Sequence, residues 1–137
     1  MYQQWTIPTD LKTGRELAED ILHHVRVQGY DQDVCFAIRL ALEEAIVNAI
    51  KHGNGCDPLK KISISAYVGT DKTDITIADE GAGFNPQNVP DPTADENLEK
   101  PGGRGLMLMR AYMDQVLFNA RGNEIRIIKN GPVQAQQ

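Results

Sequence analysis

The residues that decide the fold are 43–54, EEAIVNAIKHGN, at the end of a longer pattern of apolar residues. Apolar side chains recur at intervals of three and four residues until Gly53 supplies a stop signal, which predicts a helix over residues 31–52. Glu44 and Asn48 are four residues apart on this helix, so their side chains point the same way. The opposite face is the apolar one. The sequence therefore predicts a mostly buried helix that carries a carboxylate and a carboxamide side by side.

The polar pair on this helix has two interpretations. Its oxygens could provide a ligand for Mg²⁺ and, beside it, a general base. Lys51 and His52 follow one turn further along the helix. Alternatively, the pair belongs to a solvated helix face, because exposed Glu and Asn at helical spacing are common. The pair can be interpreted only together with the motifs that accompany it.

The chain around this helix is predicted to form two further helices and five strands. One helix ends near Gly29 and the other covers residues 105–114, whereas residues 80–103 are rich in glycine and proline and are predicted to be a loop. Alternating apolar residues and turn signals predict strands over 4–7, 62–68, 75–77, 116–119 and 124–129. Helices segregated from antiparallel strands indicate an α+β two-layer sandwich with an antiparallel or mixed sheet.

The strands predicted over 62–68 and 75–77 form a hairpin with one buried face. A second motif, DEGAGF over residues 79–84, follows the second of these strands. Period-two alternation places Asp79 on the same side as the buried isoleucines, so its carboxylate is expected to point towards the core. A buried carboxylate needs compensating donors, and Gly81 and Gly83 would let the backbone turn sharply and leave room for a planar ligand such as adenine. The alternative is that Asp79 caps a turn through its own neighbours.

A third motif, PGGRGL over residues 101–106, is a glycine-rich loop that opens directly onto a helix. The free backbone N–H groups and the positive end of the helix dipole at such a position attract phosphate. Arg104 or Lys100 could add positive charge. A glycine cluster before a helix is also a common flexible connection, so the motif matters because it accompanies the other two.

Length and composition restrict the function further. The chain has 137 residues, which predicts one domain over 1–137 with a core at about 4–130 and a frayed C-terminal tail. The net charge of −5 and the lack of basic runs argue against direct nucleic-acid binding. No uncharged apolar run reaches the roughly 18 residues of a membrane span. Two cysteines, one within an apolar helical pattern, fit a reducing, cytoplasmic compartment.

The three motifs, in this order and at this spacing, resemble those of the GHKL ATPase superfamily, and most of all its anti-sigma-factor serine/threonine kinase branch. The resemblance covers about residues 7–129. It implies a Bergerat fold, in which helices pack on one face of a mixed, mostly antiparallel sheet. It also implies that ATP and Mg²⁺ bind beneath a mobile lid over residues 96–102.

The resemblance assigns roles to individual residues. It makes Glu44 the base that takes the proton from an attacking hydroxyl, Asn48 the Mg²⁺ ligand and Asp79 the partner of the adenine amino group. Glu43 lies about 100° around the helix and is interpreted as structural. The other residues assigned to the cofactor are Gly81, Gly83 and Phe84 at the adenine end, and Lys51, His52, Gly102, Gly103, Arg104, Gly105 and Leu106 at the phosphate end.

The function implied by the resemblance is an ATP-dependent protein kinase that phosphorylates a small anti-anti-sigma protein and also sequesters a sigma factor. Two alternatives stay open: a non-catalytic ATP-binding module, and the detached catalytic domain of a sensor histidine kinase. The second would need a dimerising helix pair with an acceptor histidine, whereas His23 and His24 lie on a helix whose pattern fits core packing. The glycine- and arginine-rich lid leaves the partner open, and the sequence does not decide whether a homodimer forms.

Overall fold

The computed structural model describes residues 1–81 and 103–132, and the side chains of all of these except Gly103 and Arg104. The elements lie within three residues of those predicted. The predicted lid over 96–102 and most of the predicted loop lie outside the described residues. In chain order, the elements are β1 (Tyr2–Pro8), α1 (Leu11–Val27), α2 (Gln32–Val47), a π-helical turn (Asn48–Gly53), β2 (Lys61–Val68), β3 (Lys72–Ala78), α3 (Gly103–Tyr112), β4 (Gln115–Phe118) and β5 (Glu124–Asn130).

The five strands form one sheet in the order β1-β2-β3-β5-β4, and all four pairings are antiparallel. In this register Ile64 lies opposite Ile77, and Ile75 lies opposite Ile127. These four isoleucines are at most 2 % exposed, because side chains at period two all reach the face that the helices cover. The structure confirms the α+β fold with helices packed on one face of the sheet.

The helices begin where side-chain oxygens can satisfy free backbone N–H groups. Asp10 accepts from the Thr13 amide at the start of α1, and Asp31 accepts from the Val34 amide at the start of α2. The two helices then approach each other closely, since a Cβ on Gly14 would lie only 2.7 Å from Ile46 Cγ2. This approach fixes the polar residues of α2 relative to the first turns of α1. Among the described residues, no helix is long and apolar enough to cross a membrane.

Leu22 tests the contribution of this core to stability. Leu22 lies on α1, and its side chain is fully buried in the hydrophobic core. We expect Leu22→Ala to lower the free energy of unfolding by about 2–5 kcal/mol, because the lost transfer energy is joined by the energy of the cavity left behind. Urea denaturation measures the change. Leu59 is 87 % exposed, and Leu59→Ala should stay within about 0.5 kcal/mol. Equal losses in the two variants would contradict this account of the core.

Candidate functional site

The start of α3 packs against the polar face of α2. A Cβ on Gly105 would lie 3.0 Å from Glu44 Oε2, and 3.6 and 3.7 Å from the carboxamide atoms of Asn48. Leu106 is 2 % exposed and anchors this first turn in the core. The fold thus brings three predicted site residues from two distant motifs into contact distance of one another.

Gly105 lets α3 approach α2 closely at this point. A side chain at this position would press on the Glu44 carboxylate, so glycine lets the α3 backbone pass close to both polar groups. The first backbone N–H groups of a helix have no partner within the helix, and its dipole is positive at this end. A carboxylate and a carboxamide oxygen therefore lie beside the N-terminal end of a helix, a place that suits a phosphate with a bound divalent cation.

The end of α2 differs from the expected regular helix. Residues Asn48–Gly53 form a π-helical turn, in which the Asn54 amide donates to Ala49 O at 2.8 Å. The helix predicted over 31–52 is therefore present and continues to Gly53, but its last turn is π-helical, which periodic apolar residues do not distinguish from an α-turn. Such wide turns are frequent at functional sites. Here it carries the chain from Asn48 to Gly53 along one edge of the site.

Two predicted residues of this turn, Lys51 and His52, have exposed side chains. Desolvation of the imidazole and, to a lesser extent, the Lys51 ammonium lower the pKa of His52. The lowered pKa favours the neutral imidazole at pH 7. A neutral ring can offer a hydrogen bond to a ligand but adds no positive charge, which leaves Lys51 as the cation of this turn.

Asp79 follows β3 and lies against the end of the π-turn. A Cβ on Gly53 would lie 2.2 Å from Asp79 Oδ2, and a Cβ on Gly81 would lie 1.9 Å from the Gly53 carbonyl oxygen. A side chain at Gly53 would displace the Asp79 carboxylate, and one at Gly81 would collide with the backbone of Gly53. The amide of Gly81 donates to Asp79 Oδ1 at 2.8 Å, so the turn-capping alternative describes one of the two carboxylate oxygens. The structure thus brings Asp79, Gly81 and Gly53 together in a second cluster.

The Asp79 carboxylate is half-buried, and this burial raises its pKa. The Gly81 amide and then the more distant charges of Lys60 and Arg121 act in the opposite direction and offset part of the rise. Desolvation destabilises the ionised carboxylate in the ligand-free protein. A ligand with an N–H donor at this position would replace the hydrogen bonds from water that the buried carboxylate has lost.

The backbone around Asp79 is held by residues to which the sequence assigned no role. Asn123 accepts from the Asp79 amide at 2.9 Å and lies in the turn between β4 and β5. Asn54 accepts from the amide of Glu80, the next residue, at 2.7 Å. Asn54 belongs to the first motif, but its side chain resembles that of any turn asparagine in sequence. Its burial, with 2 % exposed, would have identified it.

Glu44 is one of the residues that line a cavity of about 180 Å³ on the side of α1. Arg15, Glu43 and Val47 contribute to its lining. Glu43 also lies 3.8 Å from Arg39 in an ion pair, which agrees with its structural interpretation. Glu44 therefore has the start of α3 on one side and accessible space on another.

The two clusters lie along one edge of α2 and its π-turn. The first cluster lies at Glu44 and Asn48, and the second lies at Gly53, where the π-turn ends. Of the other predicted cofactor residues, Gly103 begins α3 and the side chain of Arg104 is not described. Gly83, Phe84 and Gly102 lie outside the described residues.

Comparison with known proteins identifies the family. The profile of the histidine kinase-like ATPase domain matches residues 6–129. This range spans most of the chain, including α2, the π-turn and the start of α3. The chain belongs to the histidine kinase-like ATPase domain family.

Individual relatives agree with the resemblance to anti-sigma-factor kinases. The chain is 34% identical over 95 residues to the anti-sigma F factor of Clostridium perfringens strain SM101, covering 66% of this chain and 67% of that protein. It is 33% identical over 96 residues to the serine-protein kinase RsbW of Bacillus subtilis strain 168, covering 64% and 59%. The crystal structure of the RsbU and RsbW domains of Rv1364c from Mycobacterium tuberculosis superimposes with a TM-score of 0.63 at 15% identity, over 98% of this chain and 34% of that one. That likeness shows a shared fold.

Proposed function

We propose that this protein is an ATP-dependent serine/threonine kinase of the anti-sigma-factor type, which phosphorylates a small anti-anti-sigma protein and alternates between that partner and a sigma factor. The observation that carries the proposal is the convergence of Glu44, Asn48 and Gly105 at the start of α3. The names of the relatives, an anti-sigma F factor and a serine-protein kinase, support the same class of function.

The nucleotide would lie along the edge between the two clusters. The carboxylate of Asp79, which lies against Gly53 and Gly81, would accept from the adenine amino group. The first turn of α3 would direct backbone N–H groups at the phosphates. The carboxamide oxygen of Asn48 is a hard ligand suited to Mg²⁺, which would neutralise phosphate charge. The polar atoms beside Gly105 therefore fit a phosphate with its metal ion.

Glu44 would act as the general base. Its carboxylate would accept the proton of a serine or threonine hydroxyl while the hydroxyl oxygen forms a bond to the γ-phosphorus. The bond between that phosphorus and the β,γ-bridging oxygen would break, and ADP would leave. Glu44 is only partly buried and lines a cavity of about 180 Å³, which supports this role because a hydroxyl from another protein must be able to approach it.

Calorimetric titration with MgATP tests nucleotide binding directly. We expect the unmodified protein to bind MgATP, and Asn48→Ala to weaken binding by about tenfold or more, since about 1.4 kcal/mol of metal coordination corresponds to a factor of ten. In EDTA the two proteins should bind ATP equally. Asn130→Ala, an exposed position at the end of β5, serves as the control. Lack of binding by the folded, unmodified protein would refute the proposal at its first step.

A further inference from the structure

Asn54 has the most completely buried polar side chain near the site. The proposed phosphoryl transfer does not use it. Asn54 directly follows the π-turn and is 2 % exposed. Among the described residues, only Asn54 and Thr73 are polar or charged residues in the buried class. Burial of a carboxamide is unfavourable unless each polar atom finds a partner, so its contacts indicate why it is there.

The carboxamide of Asn54 joins three segments of the chain. Its Nδ2 donates to Thr9 Oγ1 and to the Lys61 carbonyl oxygen, each at 3.0 Å, and its Oδ1 accepts from the Glu80 amide at 2.7 Å. A carbonyl oxygen can only accept and a backbone amide can only donate, so this orientation of the carboxamide is the one that satisfies both. The side chain is fixed in rotation as well as in place.

The segment that this side chain holds carries the Asp79 carboxylate. Asp79 is restrained on its N-terminal side by the bond from its own amide to Asn123 O, at 2.9 Å. On its C-terminal side the restraint is the bond from the Glu80 amide to Asn54. The Gly81 amide then closes onto Asp79 Oδ1. With both flanking peptides held, the carboxylate has a defined position before any ligand arrives.

We propose that Asn54 is a positioning residue for base recognition, which holds the Glu80 amide and so presets Asp79 for the 6-amino group of adenine. The inference rests on the proposed function of the same site. A guanine base has an oxygen at this position, and an acceptor facing a fixed carboxylate is repelled. A carboxylate that can shift discriminates less, because it can move away from the oxygen. Asn54 therefore contributes to the preference for ATP over GTP.

The dissociation constants of MgATP and MgGTP, measured on the same preparations, test this role. We expect Asn54→Ala to weaken MgATP binding by about tenfold and MgGTP binding by less than about twofold, so that the preference narrows. Val25→Ala serves as the stability control, because Val25 is fully buried near the end of α1, away from Asp79. It should lower the melting temperature while the ratio of the two constants stays unchanged.

Hydrogen exchange of the Glu80 amide in the unmodified, nucleotide-free protein provides a second measurement that needs no variant. We expect this amide to exchange at least about tenfold more slowly than in an unstructured peptide, because it is bonded to a buried acceptor. Exchange at the unprotected rate would overturn the inference, even if Asn54→Ala fails to fold.

The outcomes separate the inference from the function on which it rests. Failure of the unmodified protein to bind either nucleotide would overturn both. If the unmodified protein binds MgATP and Asn54→Ala has the same ratio of MgATP to MgGTP dissociation constants, the inference alone would be overturned. A proportional loss of both nucleotides in Asn54→Ala would also overturn it, since that is the effect of general destabilisation.

Discussion

Replacing Glu44 by glutamine should lower the rate of phosphoryl transfer to an anti-anti-sigma protein by about 10²- to 10⁴-fold, the usual contribution of a general base. Glutamine has the same shape as glutamate, so it preserves the packing against Gly105, where a Cβ would lie 3.0 Å from Oε2. It cannot take up the hydroxyl proton. The dissociation constant of MgATP should therefore change by less than about twofold. Initial rates of phosphate transfer at saturating MgATP measure the first effect, and calorimetry measures the second.

Glu43→Gln is the matched control for this experiment. Glu43 has the same chemistry on the same helix but lies about 100° around it, near Arg39. Transfer by this variant should stay within about twofold of the unmodified protein. Equal losses in both variants would show that charge on α2, and not a base, is what matters. ATP-dependent partner binding without any phosphoryl transfer, and unaffected by Glu44→Gln, would instead identify a non-catalytic module.

The sequence was sufficient to predict the fold because its periodic patterns are strong. Isoleucines alternate on both strands of the hairpin, and Ile64 and Ile77 prove to be cross-strand partners on the covered face. The cap at Asp10 also follows a local rule, since a short side chain with an acceptor oxygen before an apolar stripe is a common helix start. Strand alternation and helix capping both depend on residues that are close in sequence, so they can be recognised without knowing the fold.

The site was predictable only in part, because its geometry depends on contacts between distant residues. Gly53 was interpreted as a helix stop, yet it does not have the positive φ that such a role favours. Glycine is favoured at this position because a Cβ would collide with the carboxylate of Asp79. The role of Asn54 depends in the same way on Thr9 and Glu80, which adjoin it only in the folded chain.

Asp79→Asn should weaken MgATP binding by about 100-fold, because it replaces an ionised acceptor by a neutral one at the proposed adenine contact. Hydrogen bonds to charged groups contribute about 1.5–3 kcal/mol, which corresponds to roughly 10- to 150-fold in affinity. The nucleotide-free variant should nevertheless unfold at a higher temperature at pH 7. Asparagine can still accept from the Gly81 amide, and it removes the desolvated charge.

The stability difference between the unmodified protein and Asp79→Asn should depend on pH. Burial raises the pKa of Asp79 above 3.8, so the folded state disfavours the ionised form. The unmodified protein should therefore lose stability relative to Asp79→Asn as the pH rises from 3.8 through the raised pKa, and the difference should be constant above it. Thermal denaturation of both proteins between about pH 3 and pH 8 measures the difference. An Asp79→Asn variant with lower stability and unchanged MgATP binding would contradict both assignments.

Asp74→Asn provides a control whose stability effect has the opposite sign. Asp74 lies on β3 and pairs with Arg126 on the neighbouring strand, and this hydrogen-bonded guanidinium lowers the pKa of its carboxyl. Its stabilising contribution is therefore present above pH 3.8 and is lost as the pH falls through the lowered pKa. Asp74→Asn should lower the melting temperature at pH 7 and leave MgATP binding unchanged. The two Asp→Asn substitutions should therefore change stability in opposite directions, which distinguishes a carboxylate that stabilises the fold, Asp74, from one proposed to bind a ligand, Asp79.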